Sequence, residues 1–471
     1  MRFSRLERSV EWGALASLIV IIAILGGLVK LGIWQGDEFV TGANIASDGF
    51  KALYQRVTAW SPRPFSEIML FAYHSAVIAT GDRLIPWFLS LLWGGMLVAT
   101  LWPAMLARSD QRAGMAIFML SLLLLVIAGR HNSEAIFWTQ GAVAYIPTIA
   151  GALLAHGAYV IANDAKRLPN AAYLGLLICA LSSETGAFLG VTASLALAVT
   201  QLSSSKTGRE ISKTGILAIF VTSTAVLVAM FLGRGTSSSE VMGHGDPAIA
   251  GNVVMSLGWA FYSFAVNLFL FGSNVENGLL RAIGLPTKIV LFCSCMLLFR
   301  HLKLQMPAHL AAAWGTAFFA AAFLTMAASY YKFGVIGAER HITMESGLIF
   351  IGLTAFAIAA AANMKVEPPH VAGVAGVIGL FGAATIPVAV IAPAIAYDYQ
   401  HADEIVATRD LIWETGKSDD AHVVAANRRT RGIVGTLPMD VGSHTREGQA
   451  DWVKIGIFKY FKKNDLEVIS R

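Results

Sequence analysis

The sequence predicts an all-α integral membrane protein with about eleven transmembrane helices, and three observations carry that prediction. Of 471 residues, 56% are hydrophobic and only 14% are charged. A soluble domain of ordinary composition carries roughly a quarter charged residues, so this chain has too few to cover a water-facing surface. The mean hydropathy is +0.61. The apolar residues also fall in runs near the ~20 residues a helix needs to cross a bilayer. Length alone would suggest two or three soluble domains. The hydropathy replaces them with one membrane domain, 1–396, followed by a small polar region, 397–471.

The first run, 12–34, follows Arg2, Arg5 and Arg8. It is long for a signal-peptide core and has no small-residue cleavage site before Trp34 and Gln35, so it reads as a retained anchor helix. Further runs lie at 84–106, 113–129, 142–162, 171–182, 185–201, 213–233, 282–299, 307–328, 342–362 and 371–396. The loops between them alternate in charge. One set carries Arg108 and Arg112, Lys166 and Arg167, Lys206, Arg209 and Lys213, Arg300 and Lys303, and Lys365. Short basic loops belong on the cytoplasmic side, and the N-terminal arginines fall with them. An odd number of crossings then places the C-terminus outside. The extracytoplasmic segments include two long ones, 35–83 and 234–281, whereas loops that only connect helices stay short. Function is therefore expected on that face. Residues 64–80 and 252–272 are apolar but interrupted, and read as interfacial or re-entrant segments.

The net charge of +5 requires no nucleic-acid partner. Cys179, Cys293 and Cys295 lie in apolar runs and read as small buried hydrophobes. There is no phosphate-binding loop, dinucleotide fingerprint, zinc spacing or channel filter. What remains is a set of charges beside the membrane. Asp37-Glu38 leaves the first span and suits a general base or a cation, although a hydrated acidic flank has the same appearance. Trp60-Ser61-Pro62-Arg63-Pro64 holds a guanidinium between two prolines that fix the backbone, the group that best matches phosphate or carboxylate. Arg130, His131 and Glu134 precede Trp138, Gly141 and Tyr145. Ser183-Glu184 separates two apolar stretches, each too short for a relaxed crossing, and a carboxylate at that depth must face protein or water. Glu339-Arg340-His341 opens the tenth span, where the helix N-terminus favours an anion. Glu345 lies one turn further in, on the face of His341.

Taken in order, Asp37-Glu38, Trp60 to Arg63, Glu134 to Tyr145, Ser183-Glu184, Arg340 and the tail aromatics Trp452, Tyr460 and Phe461 give a layout that resembles a known class. It resembles bacterial polytopic proteins of the GT-C glycosyltransferase kind, the O-antigen-glucosylating and related families. The resemblance spans most of the chain, with short and degenerate motifs. It implies a GT-C-like bundle in the bacterial cytoplasmic membrane, with a long first extracytoplasmic loop and a small extracytoplasmic tail. It also implies transfer of a sugar from a polyprenyl-phosphate donor to a glycan or lipid acceptor. By position Asp37, with Glu38 second, matches the base acting on the acceptor hydroxyl. Arg63, Arg130 and Arg340 match the groups that hold the carrier phosphate, with Glu134, Glu184 and His341 beside them. Many relatives carry two aspartates where this chain has Asp-Glu. No cofactor motif is visible, and a divalent cation is compatible with the carrier phosphate. The alternatives are a transporter or flippase of a lipid-linked or anionic solute, and a surface-polysaccharide polymerase or ligase.

Overall fold

The computed structural model describes residues 5–32, 34, 36–128, 133–162, 168–202, 211–233, 246–270, 278–304, 306–337, 339–365, 371–420, 422–427, 432–434 and 452–470. Among them the chain is almost entirely helical. Nine helices are long and apolar enough to cross a membrane, and three shorter apolar helices accompany them. They are numbered here in chain order. α1 (Arg5–Gly27) tightens into a 3-10 turn, Leu28–Leu31, and is followed by α2 (Gly36–Asp48) and α3 (Phe50–Gln55). A single π-turn, Arg56–Trp60, leads to α4 (Pro64–Thr80), then α5 (Leu84–Leu106), α6 (Arg112–Ile127) and the one-turn α7 (Ser133–Ile136). The bundle continues with α8 (Thr139–Ile161), α9 (Asn170–Ser182), α10 (Glu184–Leu202), α11 (Lys213–Gly233) and α12 (Val253–Phe269). It is completed by α13 (Gly278–His301), α14 (Ala308–Phe333), α15 (Glu339–Asn363) and α16 (Val371–Gln400).

α8 is the central helix. It is apolar on every side, and a helix of that kind must be buried; nearly all of its residues are. Its deeply buried His156 is satisfied from two neighbours. The Trp314 indole of α14 donates to His156 Nδ1 at 3.2 Å, and His156 Nε2 meets Thr354 Oγ1 of α15 at 3.0 Å. An indole only donates, so Nδ1 accepts and Nε2 carries the proton.

α6 and α9 are the shorter members of the bundle, at 16 and 13 residues. α9 stops at Ser183, whose extended backbone (φ −154°, ψ 164°) turns the chain directly into α10. Ser183 accepts from Thr148 at 2.8 Å. Thr148 is nine residues along α8, so the turn is recessed by ~13 Å at 1.5 Å per residue. The sequence places Glu184 at such a turn, and the extended Ser183 is what makes it.

The two apolar segments that sequence periodicity leaves open behave differently. α4 packs across the helix ends, with Ser66 donating to the Ser182 carbonyl at 2.6 Å. α12 starts beside the C-terminal end of α14, where the Gly251 amide donates to the Tyr331 carbonyl. It then runs back along α14, so that Phe264 meets both Phe323 and Phe319. Cys179 and Cys295 are buried as expected, but Cys293 is exposed. Residues two apart on a helix face different sides, and Cys293 takes the outer one.

Beyond α16 come α17 (Ala402–Lys417), β1 (His422–Asn427), α18 (Trp452–Phe461) and β2 (Asp465–Ser470). The two strands pair in parallel, His422 opposite Asp465. α18 lies against α2. The approach is close because Gly456 has no side chain: a Cβ there would sit 2.5 Å from Val40 Cγ2. Trp413, Tyr460 and Phe461 from this region close around Trp34 and Phe39, with ring centroids 5.1–6.4 Å apart.

Candidate functional site

At the end of the bundle that carries α2 and α4, charged side chains from five separate parts of the chain meet in one recess. Arg63 leaves an irregular backbone (φ −115°, ψ 77°) between Pro62 and Pro64, and its side chain turns inward. Its Nη1 donates to Glu184 Oε2 at 3.5 Å, and its Nη2 lies 3.9 Å from Glu67 Oε1. Burial works against its charge. Burial is the largest single effect, but Glu184, Glu67 and Tyr145 together outweigh it, so the Arg63 guanidinium is held above its ordinary pKa. Arg340, in the first turn of α15, donates to Glu134 Oε2 at 2.8 Å and stacks over the Trp138 ring at 5.4 Å. Beside it His341 Nε2 meets the Tyr145 hydroxyl at 3.2 Å.

These two groupings are neighbours. The charge of Arg340 acts on Arg63, and Tyr145 acts on both guanidinium groups. Asp37 acts on Arg340 in turn. Asp37 and Glu38 occupy the first turn of α2, where the helix dipole favours carboxylates. Thus Asp37, Glu38, Arg63, Glu134, Glu184, Arg340 and His341 share one region. Arg130 lies outside the described residues, as does His131.

The geometry corrects one expectation. Adjacent carboxylates leaving a membrane helix read as exposed, but Glu38 is fully buried and accepts a hydrogen bond from Trp138 Nε1 at 2.9 Å. In a helix adjacent residues point about 100° apart, so the pair divides: Glu38 faces the bundle and Asp37 stays half-buried at the rim.

Gly141 shapes the wall between the two groupings. A Cβ on it would lie 1.9 Å from the Glu134 carbonyl oxygen. Only glycine therefore lets the α7 turn fold back over α8 and bring Glu134 to Arg340.

Sequence reasoning missed two residues of the set. Arg56 Nε donates to Glu67 Oε2 at 2.6 Å, and Arg56 Nη1 donates to Thr41 Oγ1 at 3.1 Å. Glu67 is 2% exposed and stands between Arg56 and Arg63. A carboxylate inside the apolar run 64–80 was the available signal for Glu67. Arg56 is one of several charges in a polar loop and carried none.

The support behind the recess is aromatic. Trp34 Nε1 donates to the Tyr73 hydroxyl at 2.8 Å, and Tyr73 donates to Thr139 Oγ1 at 3.3 Å. His74 packs on Trp34 with ring centroids 5.0 Å apart. Burial pushes the His74 imidazole down to about 3, which keeps it neutral. Among the described residues no group of three or more His, Cys, Asp or Glu is arranged to hold a metal ion.

Comparison with known proteins adds no relative: no family model matches the chain, and no curated protein or solved structure matches it.

Proposed function

We propose that this chain is a membrane glycosyltransferase that moves a sugar from a polyprenyl-phosphate carrier to a cell-envelope glycan or lipid acceptor. The observation that supports this reading best is the shared recess: Arg63 and Arg340, 277 positions apart in sequence, lie within electrostatic reach of each other, and Asp37 lies within reach of Arg340. Two guanidinium groups in a half-buried site of a membrane bundle suit the phosphate of an anionic lipid. No nucleotide is needed, because the carrier already activates the sugar.

In the proposed reaction Asp37 takes the proton of the acceptor hydroxyl as its oxygen attacks the anomeric carbon. The bond from that carbon to the phosphate oxygen breaks, and the phosphate leaves with the electron pair. Arg340 and Arg63 meet the charge that develops there. Glu134 and Glu184 hold the two guanidinium groups in place, and the buried Glu38 fixes the first turn of α2 against Trp138. The recess end of the bundle then faces out of the cytoplasm, with the N-terminal arginines inside and the carrier tail in the surrounding lipid.

Transport of an anionic or lipid-linked solute is the second reading. It is favoured by two charges deep in the bundle, Glu345 and Lys288, which the transfer reaction does not use. One experiment separates them. Purified protein in liposomes is given a labelled polyprenyl-phosphate sugar and an acceptor extract. Label appearing in the acceptor supports transfer. Label crossing the bilayer still attached to its carrier, with no acceptor product, supports transport and rejects transfer.

A further inference from the structure

A second polar centre lies inside the bundle, apart from the recess. Glu345 is five residues beyond Arg340 on α15, ~7.5 Å further along the helix axis. It is fully buried, and neither carboxylate oxygen has a hydrogen-bond partner. Among the described residues none forms an ion pair with it. A charge at such depth is kept only where something answers it.

The charge of Glu345 reaches the Tyr330 hydroxyl of α14, and that hydroxyl shares a 2.8 Å hydrogen bond with Ser263 Oγ of α12. Asn267 lies one turn along α12 from Ser263. It is 1% exposed, and its amide oxygen and nitrogen are both unpartnered. Lys288, the buried cation of α13, is already committed. Its ammonium donates to the Asn267 carbonyl at 2.6 Å and to the Leu270 carbonyl, and it lies over the Phe350 ring.

We propose that Glu345, with Tyr330, Ser263 and Asn267, forms an intramembrane site for a monovalent cation of sodium size. The donor set contains only oxygen, which selects a hard cation over a transition metal. A single carboxylate with a monovalent ion is neutral, as a low-dielectric site requires, whereas a divalent ion would leave an excess positive charge. A cation answers both oxygens together and joins α12, α14 and α15 behind the turn that carries Arg340.

The test is thermal unfolding of the full-length protein in detergent, in sodium, potassium or choline chloride at equal ionic strength and fixed pH. Tryptophan fluorescence is the signal, since Trp259 stacks beside Tyr330 at 6.2 Å. Sodium is expected to raise the midpoint saturably over choline. Glu345→Gln is expected to fold and lose the response, and Asn267→Leu to weaken apparent sodium affinity about tenfold, or 1.4 kcal/mol. Asp37→Asn keeps the full response, so the outcome is independent of sugar transfer. A wild type indifferent to cation identity would overturn the proposal. So would a Glu345→Gln protein that responds as wild type, and so would stabilisation that follows pH alone. If Glu345→Gln does not fold, an unchanged sodium affinity in Asn267→Leu overturns the proposal.

Discussion

Arg56 and Glu67 are expected to be coupled more strongly than any pair on the protein's surface. Their contact is 2.6 Å, and their side chains are 18% and 2% exposed. Removing one partner of a buried pair strands the other charge, at a cost of about 3–5 kcal/mol. Arg56→Met strands Glu67, which keeps Arg63 at 3.9 Å as a weaker partner. The loss therefore falls near the lower end, about 3 kcal/mol. Glu67→Met strands two guanidinium groups, but both keep some solvent and Arg63 retains Glu184. Its loss is of similar size, about 3 kcal/mol. The double variant Arg56→Met/Glu67→Met buries no unpaired charge. It recovers most of either loss, giving an interaction of about 2 kcal/mol or more in a double-mutant cycle. Denaturant unfolding of the four proteins in detergent, followed by tryptophan fluorescence, measures this. If the two single losses add to within about 0.5 kcal/mol in the double variant, the pair is not coupled and the buried network is misread.

Two further outcomes follow from the same region. Gly141→Ala places a methyl group against the Glu134 carbonyl, so the α7 turn must move and the Arg340–Glu134 pair with it. Sugar transfer should fall at least tenfold, ~1.4 kcal/mol of barrier, while Tyr145→Phe at the same wall leaves the thermal midpoint near wild type. His74 is held neutral down to about 3 in the folded state, from an ordinary value of 6.5. The unfolded chain therefore binds the extra proton between those values, so stability falls as pH drops below 6.5 and is flat above it. His74→Phe should flatten that acid limb in a pH series of unfolding midpoints, and a limb as steep as wild type would remove His74 from the explanation.

Much of this arrangement is legible in the sequence because apolar runs and their flanking charges have a direct physical reading. Asp37, Glu134, Glu184 and Arg340 each stand where an apolar run meets a polar break, and the bundle brings those breaks to one end. The direction in which a side chain points is less legible. Asp37 and Glu38 are adjacent in the chain, yet one reaches the rim and the other is buried against Trp138. The first turn of α2 decides this, and no hydropathy pattern shows it. Arg56 and Glu67 went unmarked for a similar reason. Their pairing depends on a π-turn and on α4 folding back, both set by tertiary contact. The stretch 253–269 has the length and apolarity of a short span. Only its contacts with Phe319, Phe323 and Tyr331 show that it runs back along α14.

The Tyr460-Phe461 pair was visible as an aromatic end to a polar tail. What it does depends on Gly456, which lets α18 reach α2, and on Trp34, around which the rings gather. These contacts tie the C-terminal region to the helix that carries Asp37, so the tail belongs to the support of the recess.

The central claim is that Asp37 acts on the acceptor while Arg63 and Arg340 hold the carrier phosphate. The most direct measurement is steady-state sugar transfer from a polyprenyl-phosphate donor by wild type, Asp37→Asn and Arg340→Met, with kcat and donor KM resolved separately. The account predicts that Asp37→Asn loses kcat by at least a hundredfold, ~2.7 kcal/mol, with little change in donor KM, whereas Arg340→Met raises donor KM. Full turnover in Asp37→Asn, or a donor KM unmoved in Arg340→Met, would contradict it.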